Sequence, residues 1–208
     1  MFWIALAAQL SAPVLTNLDH WFDADDVPQY LLAKSNGVWL VSIRMTVNPN
    51  GAIQRCEIEK GSGISDLDNF TCHLASRRGR FQPARSGDGS AVFGVYRTFV
   101  TWAVSDAPWD VSQISRPDLD LHMPNLPSGV RSPTLVHTMF AVDAKGQMSG
   151  CTVEPKPKPK RDENDPALVP IACDQLMKSF RPVPATDGNG LPVPSVQDAL
   201  VRFSTNKP

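Results

Sequence analysis

The sequence predicts an α+β protein made of two tandem β-β-α-β units, each a three-stranded antiparallel sheet carrying one helix. Three observations lead there. Gly51, Cys56, Cys72 and Phe81 are echoed in order by Gly146, Cys151, Cys173 and Phe180, at offsets of 95, 95, 101 and 99 residues. Self-similarity at a nearly fixed offset marks one unit used twice, and the small shifts fall where loops tolerate insertion. Ahead of each glycine, apolar residues recur every second position, as in a strand with one buried face. Between the two cysteines of each copy they recur every third or fourth position, as in an amphipathic helix. The units run over 27–105 and 124–206. The connection 106–123 is punctuated by Asp106-Ala107-Pro108 and Arg116-Pro117.

The elements follow in chain order. Residues 1–12, MFWIALAAQLSA, are apolar and uncharged and end in small residues, like the core and cleavage region of an export signal. The alternative is a short buried N-terminal strand or helix. In the first unit Trp39, Val41, Ile43, Met45 and Val47 alternate with Leu40, Ser42, Arg44 and Thr46. Asn50-Gly51 then predicts a two-residue hairpin turn with positive φ at both positions. A second strand spans Ile53 to Glu59. The helix begins near Ser65 or Asp66, with Ser65 and Asp68 resembling a capping box. Leu67, Phe70 and Leu74 form its apolar stripe, and Gly79 ends it. The last strand is Val92 to Trp102. In the second unit Thr134, Val136, Thr138, Phe140 and Val142 give the alternation, and Lys145-Gly146 is a weaker turn. The second strand is Met148 to Glu154. Leu168, Ile171, Leu176 and Met177 surround Cys173 on the helix, with Pro170 in its first turn. The last strand is about Val196 to Phe203.

Each unit thus places one cysteine on its second strand and one on its helix. A helix packed on a hairpin brings those positions together, which predicts the bridges Cys56–Cys72 and Cys151–Cys173. The alternatives are four free thiols or a Cys₄ zinc site, whose ligand pairs normally lie closer in sequence. An even cysteine count with an export-like leader suggests disulfides. Loops closed over 16 and 22 positions would each contribute roughly 3 kcal/mol to units whose own cores are marginal.

Composition narrows the function. Among 208 residues, 20 basic side chains face 21 acidic ones, a formal charge of −1. That excludes the concentrated positive charge of a nucleic-acid binder. A hydrophobic content of 42% suffices for a core. The 19 prolines, about 9% against a usual 5%, demand many turns and loops. No run of 18 apolar residues occurs, so no transmembrane helix is expected. Neither a Gly-x-Ser-x-Gly elbow nor a phosphate-cradling glycine loop is present, and His20, His73, His122 and His137 lack metal spacing. Catalytic residues, metal ligands and cofactors are therefore not expected. Arg77, Arg78, Arg80 and Arg85 cluster at the helix end, where the dipole favours cations; an anion site is the alternative. Glu154-Pro155-Lys156-Pro157-Lys158-Pro159-Lys160-Arg161 reads as an exposed polyproline loop insertion, or a docking strip for an acidic partner. Asp162-Glu163-Asn164-Asp165 offsets its charge.

The order of these motifs resembles the C-terminal domain of TonB, the periplasmic energy transducer of Gram-negative bacteria. The matching stretches are Val41-Ser42-Ile43-Arg44-Met45-Thr46-Val47-Asn48-Pro49-Asn50-Gly51, Gly61-Ser62-Gly63, Leu67-Asp68, Phe81-Gln82-Pro83-Ala84 and Gly87 or Gly89. The second copy lacks the Ser-Gly element. The resemblance implies two TonB-C-like repeats in a non-enzymatic periplasmic or secreted binding module that captures extended peptides by strand addition. Its partner would be a protein of the cell envelope, such as an outer-membrane receptor peptide, and two copies could pair through their sheet edges. The implied edges follow the helices, with Val92, Val95, Arg97 and Phe99 in the first copy and Val196 and Val201 in the second. No membrane anchor or long Pro-rich spacer precedes residue 36, so a role without force transduction is expected. Two rivals remain: a disulfide-stabilised secreted enzyme or inhibitor using the inter-domain cleft, and a structural protein whose copies join into one sheet. Convergent, perturbed titratable groups between the copies would favour the enzyme; an unpaired strand edge would favour the binder.

Overall fold

A computed structural model describes residues 10–17, 21–32, 37–104, 117–154 and 163–205. In chain order the elements are β1 (Val14–Leu15), a 3₁₀ turn (Ala24–Asp26), α1 (Gln29–Leu32), β2 (Val38–Val47), β3 (Ile53–Lys60), α2 (Ser65–Arg78), β4 (Phe81–Gln82), β5 (Ala84–Arg85) and β6 (Ala91–Ala103). They continue with β7 (Leu119–His122), β8 (Thr134–Val142), β9 (Met148–Val153), α3 (Val169–Ser179), β10 (Ala185–Thr186), β11 (Pro192–Val193) and β12 (Ser195–Ser204). The mixed α and β content matches the expected class. The expected pair of separate three-stranded sheets is not what forms. A single eight-stranded sheet runs β3-β2-β6-β12-β8-β9, with β5 beside β6 and β7 beside β12.

The two halves meet through β6 and β12, which run parallel and pair only at Phe93–Ser195 and Gly94–Val196. Most other pairings in the sheet are antiparallel; β7 also lies parallel to β12. The register fixes where the helices go. Gly94 lies opposite Val47 on the α2 side of the first half. Its partner Val196 lies opposite Ala141, on the side of β12 facing away from the α3 core. The halves are therefore turned about an axis along the strands, and α2 and α3 cover opposite faces of one sheet.

Each helix makes its own core. Val41, Ile43 and Met45 of β2 are fully buried beneath Leu67, Leu74 and Ala75 of α2, with Val100 and Trp102 of β6. The Trp102 indole donates to Thr71 Oγ1 at 2.9 Å, and Thr71 Oγ1 donates to the Leu67 carbonyl at 2.7 Å. Two buried polar groups thereby satisfy each other. In the second half Val136, Phe140 and Val142 pack on Leu168, Ala172 and Leu176 with Ala199, Val201 and Phe203. Both expected disulfides are present, Cys56–Cys72 and Cys151–Cys173, with Cα separations of 5.6 and 5.7 Å. Each ties a helix to an outermost strand.

Several local expectations are revised. The turn at Asn50-Gly51 is not a two-residue hairpin: only Gly51 has positive φ (80°). Asn48 Oδ1 instead accepts from the Asn50 and Ala52 amides, and the Asn48 amide donates to the Ala52 carbonyl. Asp143 before Gly146 and Asp187 before Gly190 repeat this arrangement. Helix α2 has no side-chain cap at its start. Asp68 is engaged not by Ser65 but by Ser62, whose amide and hydroxyl both donate to it, at 2.8 and 2.7 Å. Gly79 ends the helix without positive φ; a Cβ there would lie 2.6 Å from Ile53 and 2.8 Å from the Ala75 carbonyl. Residues 10–15, which overlap the export-like segment, fold back onto the first half. Ser11 bridges Arg85, and β1 pairs with β4. The polyproline run after Glu154, residues 1–9, His20, Trp109 and positions 106–116 of the connection lie outside the described residues.

Candidate functional site

The sequence pointed to the strands after the helices as open edges; the structure places both within the sheet order, although β6 meets β12 only at Phe93 and Gly94. β12 is flanked by β8 on one side, and on the other by β6 at Ser195 and Val196 and by β7 from Val201 to Ser204. Val196 and Val201 are 1% and 0% exposed, one on the seam and the other in the second core, so neither side chain is offered to a partner. On β6, Val92 pairs with Ala84 of β5. The outermost strands are β3 and β9, because the two halves join through β6 and β12 at Phe93 and Gly94.

Val95, Arg97 and Phe99 have a different environment. Beyond Gly94 and Val196 the two central strands part, leaving a recess of about 430 Å³. Val95, Arg97 and Phe99 line it from β6, Asp198 and Leu200 from β12, with His137, Glu154, Glu59 and Asp118 around them. Asp118 bridges the gap. Its amide donates to the Leu200 carbonyl at 2.8 Å, and its carboxylate accepts from the Leu200 amide at 2.8 Å. The same carboxylate takes Arg97 Nη1 on both oxygens at 2.9 Å. Arg97 Nε reaches Glu59 at 3.1 Å. Burial opposes the charge on Arg97, but Asp118 and Glu59 outweigh it and hold the guanidinium firmly protonated.

Asp198 has the opposite balance. Burial of its carboxyl is the largest influence, Arg97 opposes it, and Glu154 and Asp118 add repulsion. The carboxyl is pushed up to about 7. Tyr96, beside it, is likewise raised by burial and by the charges of Glu154 and Asp198. Sequence reasoning missed Asp198, Asp118 and Glu154. The one available signal was a charge at Asp198 within an otherwise uncharged run from Ser195 to Val201. On an exposed strand face that is ordinary.

In the basic cluster Arg77 is exposed and the other three arginines are engaged. Arg78 is bound by Asp26 and Asp23, and Arg80 and Arg85 donate to backbone carbonyls. His73 is exposed on α2, and His122 Nδ1 lies 2.8 Å from Ser204 Oγ. Among the described residues no three His, Cys, Asp or Glu side chains stand together as a metal site.

Residues 36–102, spanning β2, β3, α2 and nearly all of β6, match the family model of the Gram-negative bacterial TonB protein C-terminal. This segment is a TonB C-terminal-type domain. The family match does not extend to the second half, and no curated protein and no solved structure matches the chain. A TonB C-terminal-type domain marks an envelope protein-interaction module. The two disulfides fit an extracytoplasmic compartment. Among the described residues no helix is long and apolar enough to cross a membrane.

Proposed function

We propose that this protein is a non-enzymatic periplasmic binding module, two tandem TonB-C-like units fused through one sheet, that captures an extended peptide of an envelope protein by strand addition. The observation that carries the reading is the outer side of β3. This eight-residue strand ends the sheet within the TonB C-terminal-type domain, and no strand of the described residues pairs with its outer side. Its backbone groups are the template that strand addition uses. At the other end, β9 is the poorer template. Gly150 sits at φ 65° in mid-strand, and the register slips between Met139 and Ala141. In this reading β12 occupies only the start of the position beside β6 that the family resemblance assigns to a receptor peptide, at Phe93 and Gly94. That self-capping supports a role without force transduction.

The test is site-specific photocrosslinking in the cell envelope, with benzoylphenylalanine at Gln54, an exposed position on β3, and at Met177 on the outer face of α3 as control. The expected result is one adduct at Gln54, confined to a short partner segment and abolished by proline substitution in that segment. Equal adducts at both positions, or none, refute strand capture at β3; an adduct to a second copy of the chain makes the edge a homodimer contact. The recess favours a second reading, an enzyme or inhibitor using the cleft, because perturbed titratable groups converge there. Turnover of a generic peptide or ester library, abolished by Asp198→Asn, would favour it.

A further inference from the structure

We propose that the recess at the centre of the sheet binds the cationic end of a lysine or arginine side chain presented by a protein partner. This goes beyond capture at β3 and does not depend on it. Four carboxylates, Glu59, Asp118, Glu154 and Asp198, line the recess against Arg97 and His137. The arginine is already committed to Glu59 and Asp118, so it is not available to an incoming anion. Asp198 differs from the others. Its carboxyl is sunk in the wall and accepts only from its own backbone amide; no other side chain among the described residues donates to it. The Arg97 charge that faces Asp198 is shared with Glu59 and Asp118 and does not offset its burial, and an entering cation relieves that cost.

The rest of the wall suits the stem of such a side chain. Val95 and Leu200 are apolar and Phe99 adds an aromatic side chain to the lining, while the Tyr96 ring packs against Trp21 and Phe81 in the first core. Alkyl stems of lysine and arginine lie along apolar surface while the head seeks charge, and aromatic faces attract cations. The recess volume falls at the low end of ordinary ligand sites. A divalent metal is not favoured, because no three-ligand group exists among the described residues.

The experiment uses the ¹⁵N-labelled full chain with its disulfides intact, at about pH 8 so that Asp198 is ionised. The probes are Nα-acetyl-lysine N-methylamide, its arginine and norleucine counterparts, and putrescine. Amide shifts are read at Tyr96 to Phe99 and at Asp198 to Leu200. Saturable shifts with the lysine or arginine probe, absent with norleucine and weakened about tenfold or more in Asp198→Asn, support the site. Asp120→Asn, which breaks only the surface pair with Arg202, should leave the affinity unchanged. No saturable shift with either cation, or equal affinity in Asp198→Asn, overturns the proposal. Putrescine binding more tightly than both blocked residues assigns the recess to free diamines and overturns the protein-partner assignment. None of these outcomes bears on the Gln54 crosslink, so the two proposals fail separately.

Discussion

Asp198→Asn should make the protein more stable, with a gain that grows as pH rises from about 4 and is complete only above about 7. The folded carboxyl titrates at about 7 against an ordinary value of 3.8. Between those values the folded chain holds a proton that the unfolded chain has released, so stability falls as pH rises through this window. Above 7 the folded state carries the buried charge and the loss is complete. A difference of about 3 units at 1.36 kcal/mol each gives roughly 4 kcal/mol. Asparagine keeps the shape and cannot ionise. Urea denaturation, with the disulfides oxidised, should therefore show the variant and parent within about 1 kcal/mol of each other near pH 4. The variant should gain about 4 kcal/mol on the parent by about pH 8.5. Urea is preferred to guanidinium because added salt would screen Arg97, Glu154 and Asp118. Parallel pH profiles for the two proteins would show that Asp198 is solvated and that the recess is not the low-dielectric site described here.

Three further outcomes are expected. Gly51→Ala should cost more than 2 kcal/mol by thermal melting, because a Cβ there would sit 2.0 Å from the Phe81 carbonyl oxygen. Gly190→Ala shares the φ of 80° but meets nothing within 4 Å, and should cost only about 1–2 kcal/mol. Replacing Cys56 and Cys72 together by alanine should lower unfolding free energy by about 3 kcal/mol, as the 16-residue closure predicts, read from the shift in the urea midpoint. Asp118→Ala removes the acceptor shared by Arg97 and the Leu200 amide and should cost about 3 kcal/mol. Its destabilisation should shrink but persist in an Arg97→Met background, where no guanidinium is left behind but the Leu200 amide still lacks its side-chain acceptor.

Local patterns in the chain were legible because each unit's elements are fixed by nearest neighbours. The alternation from Trp39 to Val47 became β2, and Val41, Ile43 and Met45 are buried as their parity required. The cysteine pairing followed from placing one thiol on a strand and its partner on the helix above. What failed depended on groups distant in sequence. Nothing in Val92–Trp102 says that Ser195 and Val196 will lie against it, since both strands look like good edges and good interior strands alike. The recess depends on Asp118, Asp198, Arg97 and Glu154, drawn from both halves and the connection, none of which forms a motif with another. The hairpin turns were misread for a local reason. The side chains of Asn48, Asp143 and Asp187 organise a longer loop, and the signal is an Asn or Asp three residues before the glycine.

The cystines and the seam together set the order in which the sheet can come apart. Ordinarily the outermost strands of a sheet open first, because they have neighbours on one side only. Here β3 and β9 are each tied by a covalent bond to the helix above them, while the centre is joined by two residue pairs, the Asp118 bridge and hydrogen bonds from Arg44 to the Val183 carbonyl and from Arg55 to Thr186. Native-state amide exchange should therefore divide the molecule down its middle, with the halves separating as two intact cooperative units before either frays at its rim.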